Sequence, residues 1–402
     1  NKVLSAKDYT LILGMPGTGK TTTIAAIVAA LVERKKTVLV SAYTNSAVDT
    51  IVQKLMSANV ECVRFVSGRK DSVHPSVVPV SVSMSPDESD ENINWFMKSP
   101  VIACTSHGTN NRYFSLRNFD VCILDEASQI TLPFCLGPLR LAKTFVLVGD
   151  HFQLPPLVRS TLAKDKGLSE SLFKILCEAH PSAVIELRRQ YRMCADIMSL
   201  PNELVYDRRL VCGSEEVANQ ELNLPQLSLI DKENAYYFCI DPKNHVLFLN
   251  TDCLGEKSYE TEYSNGGVSN AAEAFAVTSI VRVLEKAGMS LIDLAVISVY
   301  RRQLSDIEDM LRDEVDRGLE IITADQAQGR DKGCIIVSLV RANKETRTGE
   351  LLKDWRRLNV AFTRSKQKLI IVGSGKMMQQ ADGVSRFYNY IKTRNWVYPA
   401  PS

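Results

Sequence analysis

The chain of 402 residues carries 48 Lys and Arg against 46 Asp and Glu, a formal net charge of +2, with 45% hydrophobic and 23% charged residues. That length asks for two or three domains, and the near balance of charge excludes a global basic field, so any nucleic-acid site must be a local groove. The longest uninterrupted apolar run, residues 24–32, is too short to cross a bilayer, no membrane partner is expected, and no secretory or transit segment is expected at the start.

In chain order, residues 10–13 read as a short buried strand, Gly14-Met15-Pro16-Gly17-Thr18-Gly19-Lys20-Thr21 follows at once, and residues 22–32 continue as an apolar helix. This is a complete Walker A phosphate loop in the setting it needs. Its glycines let backbone N–H groups close around an anion at a helix N-terminus, where the macrodipole favours negative charge. In that pattern Lys20 reaches the β- and γ-phosphates of a nucleoside triphosphate, and the Thr21 hydroxyl meets Mg²⁺. Further strands are predicted at 37–40, 101–104, 121–124 and 144–148, with helices at 46–57 and 169–179. Residues 67–100 are less regular, hold an acidic run at 87–91, and read as an exposed, solvated insertion. A second alternating series starts near 183, with strands at 183–186, 236–240, 294–298, 320–323, 334–339 and 368–372, and helices at 271–287 and 303–315. Such alternation predicts an α/β fold of two doubly wound parallel sheets, divided as 1–180 and 181–402, with ligands beyond the carboxyl ends of the strands.

The strand at 121–124 runs into Asp125-Glu126, a Walker B arrangement. Asp125 is placed to hold Mg²⁺ through water, and Glu126 to polarise the attacking water as a general base. The next strand ends in Gly149-Asp150-His151-Phe152-Gln153-Leu154-Pro155-Pro156. There Gln153 reads as a sensor of the γ-phosphate, and the prolines stiffen a loop suited to a second ligand. The ten cysteines lie at least 13 residues apart, so no CxxC pair exists. No zinc or iron–sulfur site is expected in this segment, and the cysteines in apolar runs read as small core residues of a reducing compartment.

Gly149 to Pro156, followed by Gln190-Tyr191-Arg192-Met193, resembles the superfamily 1 helicases of the 5′→3′ branch. Longer strings at 7–16, 136–139, 145–151, 168–174 and 350–361 are similar to the eukaryotic replication nuclease–helicases that trim Okazaki flaps. The resemblance implies two RecA-like P-loop NTPase domains, with ATP and Mg²⁺ as cofactors and 5′→3′ translocation on single-stranded DNA. It implies that Tyr191 stacks on adenine, that Arg192 meets the γ-phosphate and that Arg364 is an arginine finger. Gly329 and Asp331 fall in the family's fifth motif, with Asp331 where the family usually has a ribose-binding glutamate. Thr44 and Asn45, Thr105 and Ser106, then Pro155, Tyr300 and Thr323 fall where the family meets the nucleic-acid backbone. Each of these small polar residues also suits a helix cap after a strand. The family's upstream barrel and glutamine motif, and the flap-trimming group's nuclease and iron–sulfur cluster, have no counterpart in these residues. The expectation is therefore the helicase portion of a longer nuclear replication and repair protein, or a chain that has lost its nuclease. An attached nuclease and a single-strand-binding protein are its expected partners. An RNA helicase of the nonsense-mediated-decay type, and a non-translocating nucleotide switch or scaffold, are the alternatives.

Overall fold

The computed structural model describes residues 2–67, 73–83 and 90–401, and the chain divides into two compact units, Asn1–Arg188 and Arg189–Ser402. The first is built on strands β1 (Tyr9–Gly14), β2 (Val38–Ala42), β3 (Val63–Val66), β4 (Ser81–Ser83), β5 (Val101–Thr105), β6 (Phe119–Leu124), β7 (Ala142–Gly149) and β8 (Val184–Leu187). They form one sheet in the order β4-β3-β5-β2-β6-β7-β1-β8, parallel at every pairing. Helices α1 (Lys20–Glu33), α2 (Asn45–Ser57), α3 (Asp90–Lys98), α4 (Leu132–Leu139), α5 (Thr161–Asp165) and α6 (Leu172–Ala179) accompany it. Runs such as Val-Ile-Ala-Cys in β5 and Val-Cys-Ile-Leu in β6 are buried throughout, as expected of parallel strands covered on both faces. Val48, Ile51, Val52 and Leu55 of α2 follow helical spacing and join one core with Val40 and Ile123 of the sheet.

The expected division at 180 moves because the strand read as opening the second series belongs to the first sheet: β8 pairs with β1, Leu11 opposite Val184. The expected loop at 67–100 is also revised. Its described part contributes edge strand β4 and helix α3, whose Phe96 is fully buried. Phe96 meets Phe65 of β3 at 5.7 Å and Phe114 at 5.2 Å between ring centroids, edge to face. Residues 87–89 of the acidic run lie outside the described residues.

The second unit begins with the short pair β9 (Arg189–Gln190) and β10 (Val211–Cys212), flanked by α7 (Ala195–Leu204) and α8 (Glu215–Ala218). Residues 236–240 form not a strand but helix α9 (Tyr237–Ile240), which buries Cys239 and Ile240. Strand β11 (Val246–Asn250), absent from the sequence reading, follows, then the antiparallel pair β12 (Thr261–Glu262) and β13 (Val268–Ser269). Helix α10 (Ala271–Lys286), β14 (Leu294–Ser298), α11 (Arg301–Met310), α12 (Arg312–Asp316), β15 (Glu320–Thr323) and β16 (Lys332–Ser338) come next. The chain finishes with α13 (Gly349–Lys353), α14 (Trp355–Phe362), β17 (Ser365–Gly373), α15 (Gly375–Gln380), α16 (Ser385–Thr393) and β18 (Val397–Pro399). The main sheet runs β15-β14-β16-β17-β11-β18 and is parallel. The helix expected over 303–315 is two helices, broken at Leu311. Among the described residues no helix is long and apolar enough to cross a membrane.

Candidate nucleotide and nucleic-acid site

The strand order β5-β2-β6-β7-β1 decides where the chemistry of the first unit stands. Parallel strands end at one edge, so the turns after these five lie side by side there. At the end of β1, Gly17 (φ 72°) and Gly19 (φ 76°) take left-handed conformations that glycine adopts without strain. Gly19 stands at the N-terminus of the 14-residue helix α1 with no side-chain cap, so the first-turn N–H groups face the loop. Lys20 folds back across Gly14 and donates from Nζ to its carbonyl at 2.9 Å. A Cβ on Gly14 would lie 2.2 Å from Lys20 Cγ, so only glycine leaves the lysine room. The Thr18 hydroxyl donates to Met15 O at 2.7 Å and closes the loop. Pro16 is buried within that loop, and Thr21 lies half-buried on the first turn of α1.

After β6, Asp125 is 4% exposed. Its Oδ1 accepts the Glu126 N–H at 2.9 Å. Burial raises its carboxyl well above the ordinary carboxylate range, the charge of Glu126 raises it further, and Lys20 opposes both. Glu126 sits at φ 51°, an uncommon conformation for a side-chain-bearing residue, and its Oε2 accepts from Gln129 Nε2 at 2.7 Å. The turn after β7 packs against this one. A Cβ on Gly149 would come 2.9 Å from Ser128 N, and Asp150 N donates to Ser128 Oγ at 3.3 Å. Asp150 Oδ2 accepts from Gln153 Nε2 at 2.8 Å, which holds the 3% exposed Gln153 in the same row.

Further along that edge are the residues that the resemblance placed on a nucleic-acid backbone. Thr44 is exposed and caps α2, its Oγ1 accepting the Ala47 N–H at 3.2 Å. Asn45 is half-buried, and Thr105 Oγ1 accepts from Gly108 N at 3.2 Å. Pro155 is exposed beside Leu157, which is 79% exposed. Ser106 differs from these. It is 2% exposed, its hydroxyl lies 3.3 Å from both Ser41 Oγ and Ala42 O, and its side chain is turned into the sheet.

In the second unit Gln190 braces the loop that follows it. Its Oε1 accepts the N–H groups of Arg192 and Met193 at 2.8 and 2.7 Å, and its Nε2 donates to Met193 O. Tyr191 is 59% exposed, and its ring covers Gly213, where a Cβ would come within 2.2 Å of the ring edge. Arg192, 16% exposed, donates from Nη1 to Thr363 O at 2.9 Å, and its Nε lies 2.7 Å from Asp331 Oδ2. Arg364 Nη1 meets the other oxygen of the same carboxylate at 3.4 Å. Burial, and after it the neighbouring Arg364, lower the Arg192 guanidinium to about 10, against the opposing charge of Asp331. Asp331 therefore bridges two arginines, a role that its ribose-binding reading did not include. Gly329, at φ 77°, is exposed. Thr323 Oγ1 donates to Gln326 Oε1 at 3.0 Å at the end of β15. Tyr300 departs from expectation. It is 9% exposed, packed with Val268 and Val340, and its phenol is pushed up to about 12 by burial. An aromatic residue after a strand reads as a surface contact, but the β12–β13 pair covers this one.

Family models described as an AAA domain match residues 168–376, and residues 1–94 together with 87–161. The DNA replication ATP-dependent helicase/nuclease DNA2 of Saccharomyces cerevisiae is 44% identical over 411 residues, covering 99% of this chain and 27% of the yeast protein. The protein of the same name from Homo sapiens is 42% identical over 416 residues, 100% of this chain and 39% of the human protein. The chain thus spans between about a quarter and two fifths of these relatives. Among solved structures, the arterivirus nonstructural protein 10 helicase overlies 92% of this chain and 60% of its own at 15% identity, with a TM-score of 0.48.

Proposed function

This chain belongs to the AAA-domain family, and from that premise we propose that it is an ATP-driven motor moving 5′→3′ along single-stranded DNA. It is the helicase part of a replication and repair nuclease–helicase. The observation that carries the reading is the edge formed by β5, β2, β6, β7 and β1, where phosphate-loop, carboxylate and small polar turns stand in one row. A shift in the nucleotide loops is then felt directly by the turns that hold the strand.

The residues fit a magnesium-bound triphosphate. Asp125 is a buried carboxylate that Lys20 compensates only in part, and the glycine loop turns backbone donors toward an anion. Thr21 and Asp125 hold the metal, which when bound neutralises charge on the phosphates. Lys20 leaves the Gly14 carbonyl for the β- and γ-phosphates. Glu126, held by Gln129, takes the proton of the attacking water, and Gln153, held by Asp150, orients that water. Tyr191 stacks on the base, Gly329 lies at the sugar, and Asp331 keeps Arg192 and Arg364 aimed as charge carriers for the transferred phosphoryl group. Thr44, Asn45, Thr105 and Pro155 form the strand-binding edge of the first unit, Thr323 is the second unit's own strand contact, and all meet backbone rather than base. A nuclear site of action, a single-strand-binding protein and a nuclease elsewhere in the same polypeptide accompany this reading.

The test is ATP turnover with matched single-stranded DNA and RNA oligomers, then unwinding of duplexes with 5′ or 3′ tails. DNA is expected to stimulate turnover, binding to weaken as salt rises and counterion release is lost, and only 5′ tails to support unwinding. Stimulation by RNA alone would move the chain to the RNA-helicase reading, turnover indifferent to both would make it a nucleotide switch, and unwinding from 3′ tails would reverse the polarity.

A further inference from the structure

Arg64 lies in the middle of β3, interrupting the apolar run Val63-Arg64-Phe65-Val66, and is 1% exposed. No step of nucleotide chemistry uses it. A buried guanidinium is costly unless each face is satisfied, and here each is. Its Nε donates to Asp49 Oδ1 at 2.8 Å, its Nη1 to Phe65 O at 2.6 Å, and its Nη2 to Asn45 Oδ1 at 2.8 Å. The second oxygen of Asp49 accepts the His74 N–H at 2.8 Å, so the carboxylate is held as firmly as its partner. Asn45 and Asp49 are four residues apart on α2, so they share the helix face turned toward β3. One planar fork spans both.

The consequence falls on Asn45. Arginine has only donors to offer, so the side-chain amide must turn its oxygen inward, whichever way an amide is ordinarily assigned. The Nδ2 group, with two N–H donors, is thereby directed away from Arg64. Among the described residues it has no hydrogen-bond partner within the chain. It stands one residue past the Thr44 cap, at the edge where Ala42 of β2 lies opposite Thr105 of β5. We infer that Arg64 is a positioning residue: by holding the oxygen of Asn45, it fixes the amide as a donor to a phosphate of the single strand. This rests on the strand-binding reading of that edge and adds to it a polarity and a buried support.

Two kinds of variant test it, read by the anisotropy of a labelled oligothymidylate and by thermal melting of the full chain. Asn45→Asp keeps an oxygen for Arg64, so melting should hold or rise, yet it offers the phosphate an acceptor in place of a donor. Affinity should fall about ten- to a hundredfold, the range for a lost hydrogen bond to a charged group. Arg64→Lys keeps a charge beside Asp49 but loses the fork, so affinity should fall roughly threefold to tenfold. Placed in an Asn45→Ala background, Arg64→Lys should cost no further affinity, because its effect runs through Asn45. If Asn45→Asp binds as tightly as the wild-type chain, Asn45 is a structural staple and the inference fails. Equal losses from Arg64→Lys in both backgrounds would show Arg64 acting by another route, and overturn it too. Absence of binding by the wild-type chain would instead defeat the strand-binding reading itself. Asn45→Asp leaves Arg64 in place, so the polarity is tested even where Arg64→Lys does not fold.

Discussion

Replacing Glu273 by glutamine should change how stability depends on pH in a direction that the structure dictates. Glu273 lies in α10 with no solvent exposure. Its Oε2 accepts from Ser338 Oγ at 2.7 Å and from Val340 N at 2.9 Å, while Asn270 Nδ2 approaches Oε1 at 3.4 Å. Val340 adopts φ 71°, a strained conformation for a β-branched residue, and the carboxyl satisfies the N–H that this turn leaves buried. Burial pushes the Glu273 carboxyl from its ordinary 4.5 up to about 8, against the hydrogen bonds that favour the ionised form. Between those values the folded chain keeps a proton that the unfolded chain has released. The contribution is therefore complete below pH 4.5 and is lost as pH rises through about 8. At about 1.4 kcal/mol for each pH unit, the span sets a ceiling on the order of 5 kcal/mol. Glu273→Gln cannot ionise and retains an oxygen for Ser338 and Val340. Between about pH 5.5 and about pH 8.5, the stability difference should move by about 3 kcal/mol in favour of the variant. Urea denaturation of both chains at a series of pH values, followed by ellipticity, measures it. Titrating groups that do not interact with Glu273 cancel in the difference. Parallel profiles would show that Glu273 titrates near its ordinary value, and the reasoning from burial would be refuted.

Lys20→Ala should abolish ATP turnover, whereas Glu126→Gln should keep nucleotide binding and lose hydrolysis; near wild-type turnover in either would remove the assigned role. Arg364→Ala should lower kcat by about 10³–10⁵ with little change in affinity for an ATP analogue, and a collapsed affinity at unchanged kcat would make it a ground-state ligand. Asp331→Asn separates the two readings of that carboxylate: as a brace for Arg192 and Arg364 it should lower kcat, whereas a ribose ligand alone would raise KM and leave kcat intact.

The parts legible in the sequence are those whose chemistry is local. The glycines of the phosphate loop and the apolar strand that ends in Asp125 carry their geometry in neighbouring residues. The run Tyr236-Tyr237-Phe238-Cys239-Ile240 shows the limit, because a short apolar stretch suits a buried strand or one helical turn equally. Assigning β8 to the first sheet required knowing its partner β1, across most of the first unit. Ser106 and Tyr300 look like surface contacts in sequence, but burial is decided by what packs over them. Arg64 did leave a signal, a lone cation inside an apolar strand, which has to find a carboxylate. Its partners, fifteen and nineteen residues earlier in the chain, were not identifiable without the fold. The bridge from Asp331 to two arginines joins the start of the second unit to its last third, a separation that no local pattern reports.

The burial of the cysteines has a practical use. Eight of the ten are buried, Cys212 is half-buried against Met198, and Cys253 alone is exposed. Burial raises the thiols of Cys62, Cys104, Cys135, Cys177, Cys194, Cys239 and Cys334 to between about 11 and about 12. At mildly alkaline pH those sulfurs remain protonated and poorly nucleophilic, and their surroundings exclude a bulky maleimide. Cys253, in the turn after β11, is therefore the most accessible position for a dye in this chain, ahead of the half-buried Cys212. A fluorophore there can follow the second unit through a catalytic cycle in the unmodified sequence.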